Sequence, residues 1–154
     1  DFEGFKIYKS QDGGETWEMV NLYEDVVESV SFPSTNIGFG LNSYGEIFKT
    51  TDGGDFWANI CDNYDFESIN FPSESVGYGF FRDPLEDYYT YKTTDGGTNW
   101  ILINQGIEFE QIDFLSENIG YGTTGDELYK TTDGGESWGI IYEDEEDIES
   151  ISFF

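Results

Sequence analysis

One short pattern recurs four times: a Lys, a Ser or Thr, a variable residue, Asp-Gly-Gly, two further variable residues and a Trp. The copies end at Trp17, Trp57, Trp100 and Trp138 of the 154-residue chain, at spacings of 40, 43 and 38 residues. A motif returning in phase at about 40 residues demands a fold that is itself repeated. Each repeat is then one supersecondary unit that buries its apolar face by stacking on its neighbours.

Aligning the repeats exposes the rest of the unit. Val27–Phe32, Phe66–Phe71, Phe109–Phe114 and Ile148–Phe153 coincide, and each alternates apolar and polar residues, as a strand with one buried face does. A turn follows, then Asn36–Gly40, Ser75–Gly79 and Asn118–Gly122, short second strands rich in glycine. Third strands run into the motif at Ile7-Tyr8-Lys9, Ile47-Phe48-Lys49, Tyr91-Lys92 and Leu128-Tyr129-Lys130. The Asp-Gly-Gly turn reverses the chain into a fourth strand that begins at each Trp. No window repeats at the helical period. A repeated four-stranded meander of this length is a propeller blade. The expected fold is therefore all-β: a β-propeller of about four antiparallel blades in one domain over residues 1–154. Identical hairpins at fixed spacing count against the alternative, a β-sandwich.

Residue 1 matches the position of Leu41, and Phe154 that of Pro33. The order is thus a third and fourth strand, three whole blades, and a lone first strand. Ile148–Phe153 is expected to pair with the edge of Phe5–Ser10, or with the same edge of a second molecule, because open strand edges invite pairing. Such a ring lacks one second strand, and the same register equally fits an incomplete propeller, a fragment of a larger one. A homo-oligomer through open blade edges is accordingly one expectation.

The four turns resemble the Asp-box, or bacterial neuraminidase repeat, in which a Ser or Thr, an Asp, a Gly, a second hydroxyl residue and a Trp recur. The copies at Asp12 and Asp133 match fully; those at Asp52 and Asp95 carry Phe56 and Asn99 where the second hydroxyl is expected. The resemblance implies structural locks built from Asp12, Gly14 and Trp17; Asp52, Gly54 and Trp57; Asp95, Gly97 and Trp100; and Asp133, Gly135 and Trp138. The chemistry of these residues suits the same roles: the carboxylate accepts turn N–H groups, glycine supplies positive φ, and the Trp N–H seeks a backbone acceptor. The longer unit is similar to propellers of the photosystem II assembly-factor and sortilin-like classes. It is shared by receptors, assembly factors and glycosidases, so it leaves function open.

Formal net charge is -27, from 33 acids against Lys6, Lys9, Lys49, Arg82, Lys92 and Lys130. So negative a field repels phosphate backbones and anionic lipid, which argues against nucleic acid and membrane as partners. The chain has no His, which removes imidazole acid–base and metal chemistry. Cys61 stands alone and reads as a small buried apolar residue. Sialidases, which the Asp-boxes resemble, hold their substrate with three arginines; Arg82 is the only one here. A xyloglucanase-like glycosidase needs only two carboxylates, and no spacing selects a pair, so no catalytic residue is expected. An extracellular or cell-surface setting of bacterial type fits the composition.

In a blade, the Asp-box turns and the first-to-second turns share one end, while second-to-third loops and blade connectors share the other. Most of the acids gather at that second end with Tyr23, Tyr44, Tyr64, Tyr88 and Tyr142, and with Arg82 in the segment that lengthens the 43-residue period. Loops on a rigid scaffold carry binding surfaces. The expected function is non-catalytic recognition or scaffolding, with a protein or a glycan bound by this acidic, tyrosine-bearing face. Glu28, Glu67, Glu110 and Glu149 occupy one position in the four first strands. If they face a common axis, calcium is the cofactor their oxygens would take. No dedicated calcium loop accompanies them.

Overall fold

The computed structural model describes residues 7–10, 12–20, 27–85, 87–144, 146–148 and 151, with backbone alone for Ile7, Val20, Val27 and Glu28. Fourteen strands make up the described part, arranged in three four-stranded sheets and one two-stranded sheet. The N-terminal hairpin is β1 (Ile7–Lys9) and β2 (Glu18–Val20). The first blade is β3 (Val27–Ser31), β4 (Gly38–Asn42), β5 (Ile47–Thr50) and β6 (Ala58–Cys61). The second is β7 (Ser68–Asn70), β8 (Gly77–Arg82), β9 (Tyr88–Thr93) and β10 (Ile101–Gln105). The third is β11 (Gln111–Phe114), β12 (Gly120–Thr124), β13 (Glu127–Thr131) and β14 (Gly139–Glu143). Every pairing is antiparallel and sequential, the meander that the repeat demands. No helix among the described residues is long and apolar enough to cross a membrane.

Strand ends differ from the sequence reading in a consistent way. Second strands start two residues later than expected and run further, to Asn42, Arg82 and Thr124, while fourth strands start just after the Trp. The motif Trp is held by the turn, so the ladder resumes only beyond it.

The core lies between blades. Phe39, Leu41, Ile47, Cys61, Phe66, Ile69, Phe71 and Trp100 join the first blade to the second, and Val76, Tyr78 and Phe114 join the second to the third. Flat ring pairs carry both joints: Phe39 on Phe71 at 3.5 Å and Tyr78 on Phe114 at 3.4 Å between centroids. The glycines of the second strand make this possible. A Cβ at Gly38, Gly77 or Gly120 would run into the ring of Phe32, Phe71 or Phe114 of its own blade. Polar links cross the same joints. Ser31 Oγ accepts from the Phe71 N–H at 3.0 Å, and Asn70 Nδ2 donates to Asp113 Oδ1 at 3.2 Å.

Of the last strand expected from the repeat, only Ile148 and Ile151 are described. Ile148 N–H donates to the Gly125 carbonyl at 2.7 Å, and Ile151 N–H donates to Gln111 Oε1 at 3.0 Å. Ile151 thus sits beside the first strand of the third blade, where the next blade's first strand belongs. The pairing expected with Phe5–Ser10 falls largely outside the described residues. Among the described strands, β1 pairs with β2 alone.

Candidate functional site

The Asp-boxes set the frame of each blade. In each, a Ser or Thr hydroxyl donates to the Asp carboxylate and accepts a glycine N–H: Thr50 with Asp52 and Gly54, Thr93 with Asp95 and Gly97, Thr131 with Asp133 and Gly135. Ser10 plays this part for Asp12 and Gly14. The two glycines of every box have positive φ, which spares the turn the strain a side chain would bring. A second set of bonds closes the far side. Asp12 accepts the Thr16 N–H and hydroxyl, and Asp133 accepts both from Ser137. At Asp95 the Asn99 amide donates at 2.7 Å, so the departure from the Asp-box pattern keeps its bond. At Asp52 only the Phe56 N–H remains.

These bonds hold the carboxylates ionised. The Thr16 hydroxyl and N–H take Asp12 from 3.8 down to about 2, the Asn99 amide does the same for Asp95, and the Ser137 hydroxyl for Asp133. Asp52 is lowered chiefly by the Phe56 N–H. Trp17, Trp57 and Trp100 donate Nε1–H to the carbonyls of Gly14, Gly54 and Gly97. Trp138 departs from that expectation: its buried Nε1 has no hydrogen-bond partner, and the ring is held by Phe109 and Phe114 instead. The boxes of the three four-stranded blades are also tied to the first turn of their own blade, through Gly53, Gly96 and Gly134 N–H to the carbonyls of Asn36, Ser75 and Asn118.

At the other end of the sheets, the structure sorts the tyrosines expected to bind. Tyr44, in the β4–β5 turn, is 71% exposed and lines an open polar groove of about 390 Å³ with Asp65 and Glu67. The turn beneath it is rigid: buried Asn42 accepts the Tyr44 and Glu46 N–H groups and donates to Glu46 Oε2 at 2.7 Å. Tyr142 is exposed and donates to Asp144 Oδ2 at 2.9 Å. Tyr88 is half-buried between the Arg82 guanidinium, 5.4 Å from its centroid, and Glu108, which accepts its hydroxyl at 2.5 Å. Tyr64 is turned inward. Its ring packs on Phe66 and Tyr91, its hydroxyl donates to the Trp100 carbonyl, and burial pushes its pKa up. Tyr64 therefore belongs to the core margin. Tyr23 lies outside the described residues.

The inserted segment holds a residue whose part sequence spacing did not show. Asp83 Oδ1 accepts the N–H groups of Leu85 and Asp87, and Oδ2 accepts the Tyr89 hydroxyl. Asp83 organises the β8–β9 loop that presents Arg82 and Tyr88. Asp followed by Pro is a turn signal, and that signal was available in the sequence. Of the four repeated glutamates, Glu67 and Glu110 are exposed, only the backbone of Glu28 is described, and Glu149 lies outside the described residues. Among the described residues no group of three or more His, Cys, Asp or Glu is placed to hold a metal ion.

No protein-family model and no curated protein matches the sequence. Solved structures do. YCF48 from Cyanidioschyzon merolae is 23% identical over 83% of this chain and 44% of its own, with a TM-score of 0.64. YCF48 bound to D1 peptide is 23% identical over 75% of this chain and 40% of its own, with a TM-score of 0.61. An ancestral GH74 enzyme is 21% identical over 85% of this chain and 20% of its own, with a TM-score of 0.60. The chain spans less than half the length of each of these chains. At such identity the likeness speaks for the fold: this chain is an Asp-box repeat β-propeller structure of the kind seen in YCF48.

Proposed function

We propose that this chain is a non-catalytic recognition module that binds a partner protein through its acidic, tyrosine-bearing loop face. The observation that carries the reading is the set of fixed polar and aromatic groups at one end of the sheets. Tyr44 stands beside Asp65 and Glu67, Arg82 is stacked on Tyr88 with Glu108 behind it, and Tyr142 is tied to Asp144. Tyr88 and Tyr142 are held by side-chain bonds and Tyr44 stands on a turn fixed by Asn42, which limits the freedom lost on binding. Rigid tyrosines with acids and a lone guanidinium suit a basic or mixed-charge peptide. That the similarly folded YCF48 has been solved with a D1 peptide supports a peptide as the ligand class.

Glycosidase chemistry is the poorer reading. It needs a carboxyl group kept protonated near neutral pH. Among the described residues, the carboxyls of Asp12, Asp52, Asp95 and Asp133 are displaced downward and committed to their turns. The test sets a Lys-rich peptide library against a glycan array. Peptide capture weakened by Tyr44→Ala and Arg82→Ala supports the proposal, and capture of glycans alone overturns it.

A further inference from the structure

We infer that an aromatic slot between the second and third blades takes the side-chain ammonium of a lysine from the partner. The inference rests on the loop-face reading above and names the side chain that this face selects.

The slot has a volume of about 40 Å³. Phe80, Phe81, Tyr88, Tyr89 and Phe109 wall it with their rings, and Glu67 supplies its carboxylate. Both blades are four-stranded, and all of these wall residues are described. The space holds about three waters, the room that an ammonium and its nearest methylenes need. Among the described residues no basic side chain lines it.

The rings are fixed and rich in electron density. Phe81 stacks with Tyr89 at 5.9 Å, and Phe109 is backed by Trp138 at 4.7 Å. The Tyr88 hydroxyl donates to Glu108 and the Tyr89 hydroxyl to Asp83. Donation to a carboxylate polarises a phenol toward its ring and strengthens the pull on a cation. The Arg82 guanidinium, 5.4 Å from the Tyr88 centroid, already uses one of these rings in that way.

Glu67 joins the slot to the open groove beside Tyr44, because it lines both. Its N–H donates to the Phe80 carbonyl at 2.8 Å, which fixes the backbone at the junction. A peptide main chain in the groove can thus send a side chain past the Glu67 carboxylate and in among the rings. A carboxylate with π faces beyond it repels an anion and suits a compact cation on a slender stem, which is lysine.

The joint between the first and second blades shows the same place closed. Tyr64 stands in the repeat where Ile107 stands, and its ring lies on Phe66 at 5.1 Å. Leu41 and Asn42, at the positions of Phe80 and Phe81, are 2% exposed, whereas Phe80 and Phe81 are half-buried. Ile107 has no ring to seal its joint, and the slot lies beside it.

The test titrates the 154-residue chain with two fluorescein-labelled Gly/Ser peptides, one bearing lysines and the other 2,4-diaminobutyrate in their place. The two peptides share one charge, so diffuse attraction to the acidic surface is common to both. The shorter stem holds its ammonium two methylenes back from the slot. The parent should bind the lysine peptide about tenfold more tightly. Ile107→Tyr copies the closed joint; it should keep the melting temperature, still bind both peptides, and lose the preference. Glu67→Gln should reduce the preference at an exposed position. Equal affinity of the parent for the two peptides, or a preference that survives Ile107→Tyr, overturns the inference and leaves loop-face binding standing. If Ile107→Tyr lowers the melting temperature, Glu67→Gln decides, and an unchanged preference there overturns the inference. Absence of saturable binding by either peptide overturns the slot and the loop-face reading together.

Discussion

The Tyr78 ring lies 3.4 Å from that of Phe114 in the next blade, parallel within 3°, and the Tyr78 hydroxyl donates to the Glu117 carbonyl at 2.7 Å. One side chain therefore joins two blades by stacking and by a hydrogen bond. Tyr78 is fully buried, and burial pushes its pKa far up, so the hydroxyl stays a donor. Tyr78→Ala should cost about 3–5 kcal/mol. Tyr78→Phe keeps the stack and should cost about 1 kcal/mol. Chemical denaturation of both variants measures the difference; equal losses would mean that the ring contributes nothing to the joint.

The tryptophans of the Asp-boxes should not be equivalent. Trp100 Nε1–H reaches the Gly97 carbonyl at 3.0 Å, whereas buried Trp138 Nε1 has no partner. Trp100→Phe loses a buried hydrogen bond and Trp138→Phe removes an unsatisfied donor. The first should be the more destabilising by about 1 kcal/mol, in the same denaturation assay.

Glycines separate into two classes that a single substitution distinguishes. A Cβ on Gly77 drives into the Phe71 ring, and Gly77→Ala should cost about 1–3 kcal/mol through overpacking. At Gly139 nothing lies within 4 Å of the added carbon and φ is not positive. Gly139→Ala should stabilise by about 0.4–1 kcal/mol, mainly by restricting the unfolded chain. Melting temperatures moving in opposite directions are the expected result.

Much of this architecture was legible in the sequence because it lies in period. Apolar alternation marked the strands, and the four Trp motifs marked the turns. What escaped depends on neighbours in space. Phe39 and Phe71 belong to different repeats, so no single repeat reveals that they stack. Tyr64 has the spacing of a loop residue, and only folding shows it turned onto Phe66 and Tyr91. Asp83 has the composition of a surface acid, yet it accepts three bonds that shape its loop. Of the candidate binding face, the sequence placed the residues at one end of the blades; which tyrosines stand out there follows from packing.

Acid should loosen the Asp-boxes in a defined window. A carboxyl whose pKa is lowered on folding contributes stability above its unfolded value, and that contribution is lost as pH falls through its folded value. For Asp95 the window runs from 3.8 to about 2. Asp95 is exposed, so the effect is screened and is best read as a slope. The melting temperature should fall between about pH 4 and pH 2, less steeply in Asp95→Asn than in the parent. Parallel curves would show that the Asn99 and Thr93 bonds do not discriminate between the ionised and neutral carboxyl.

The central claim, recognition by the loop face, is tested most directly by titrating the protein with a labelled Lys-rich peptide that lacks aromatic residues, against two sets of charge-neutral variants. One set carries Asp65→Asn, Glu67→Gln and Glu108→Gln at the loop face; the other carries Asp55→Asn, Glu74→Gln and Glu136→Gln at the Asp-box end. Both remove three charges from exposed positions, so they change the overall field equally. The account predicts that affinity is lost with the loop-face set and kept with the other. Equal losses would reduce the binding to diffuse attraction by a -27 surface and would contradict the claim.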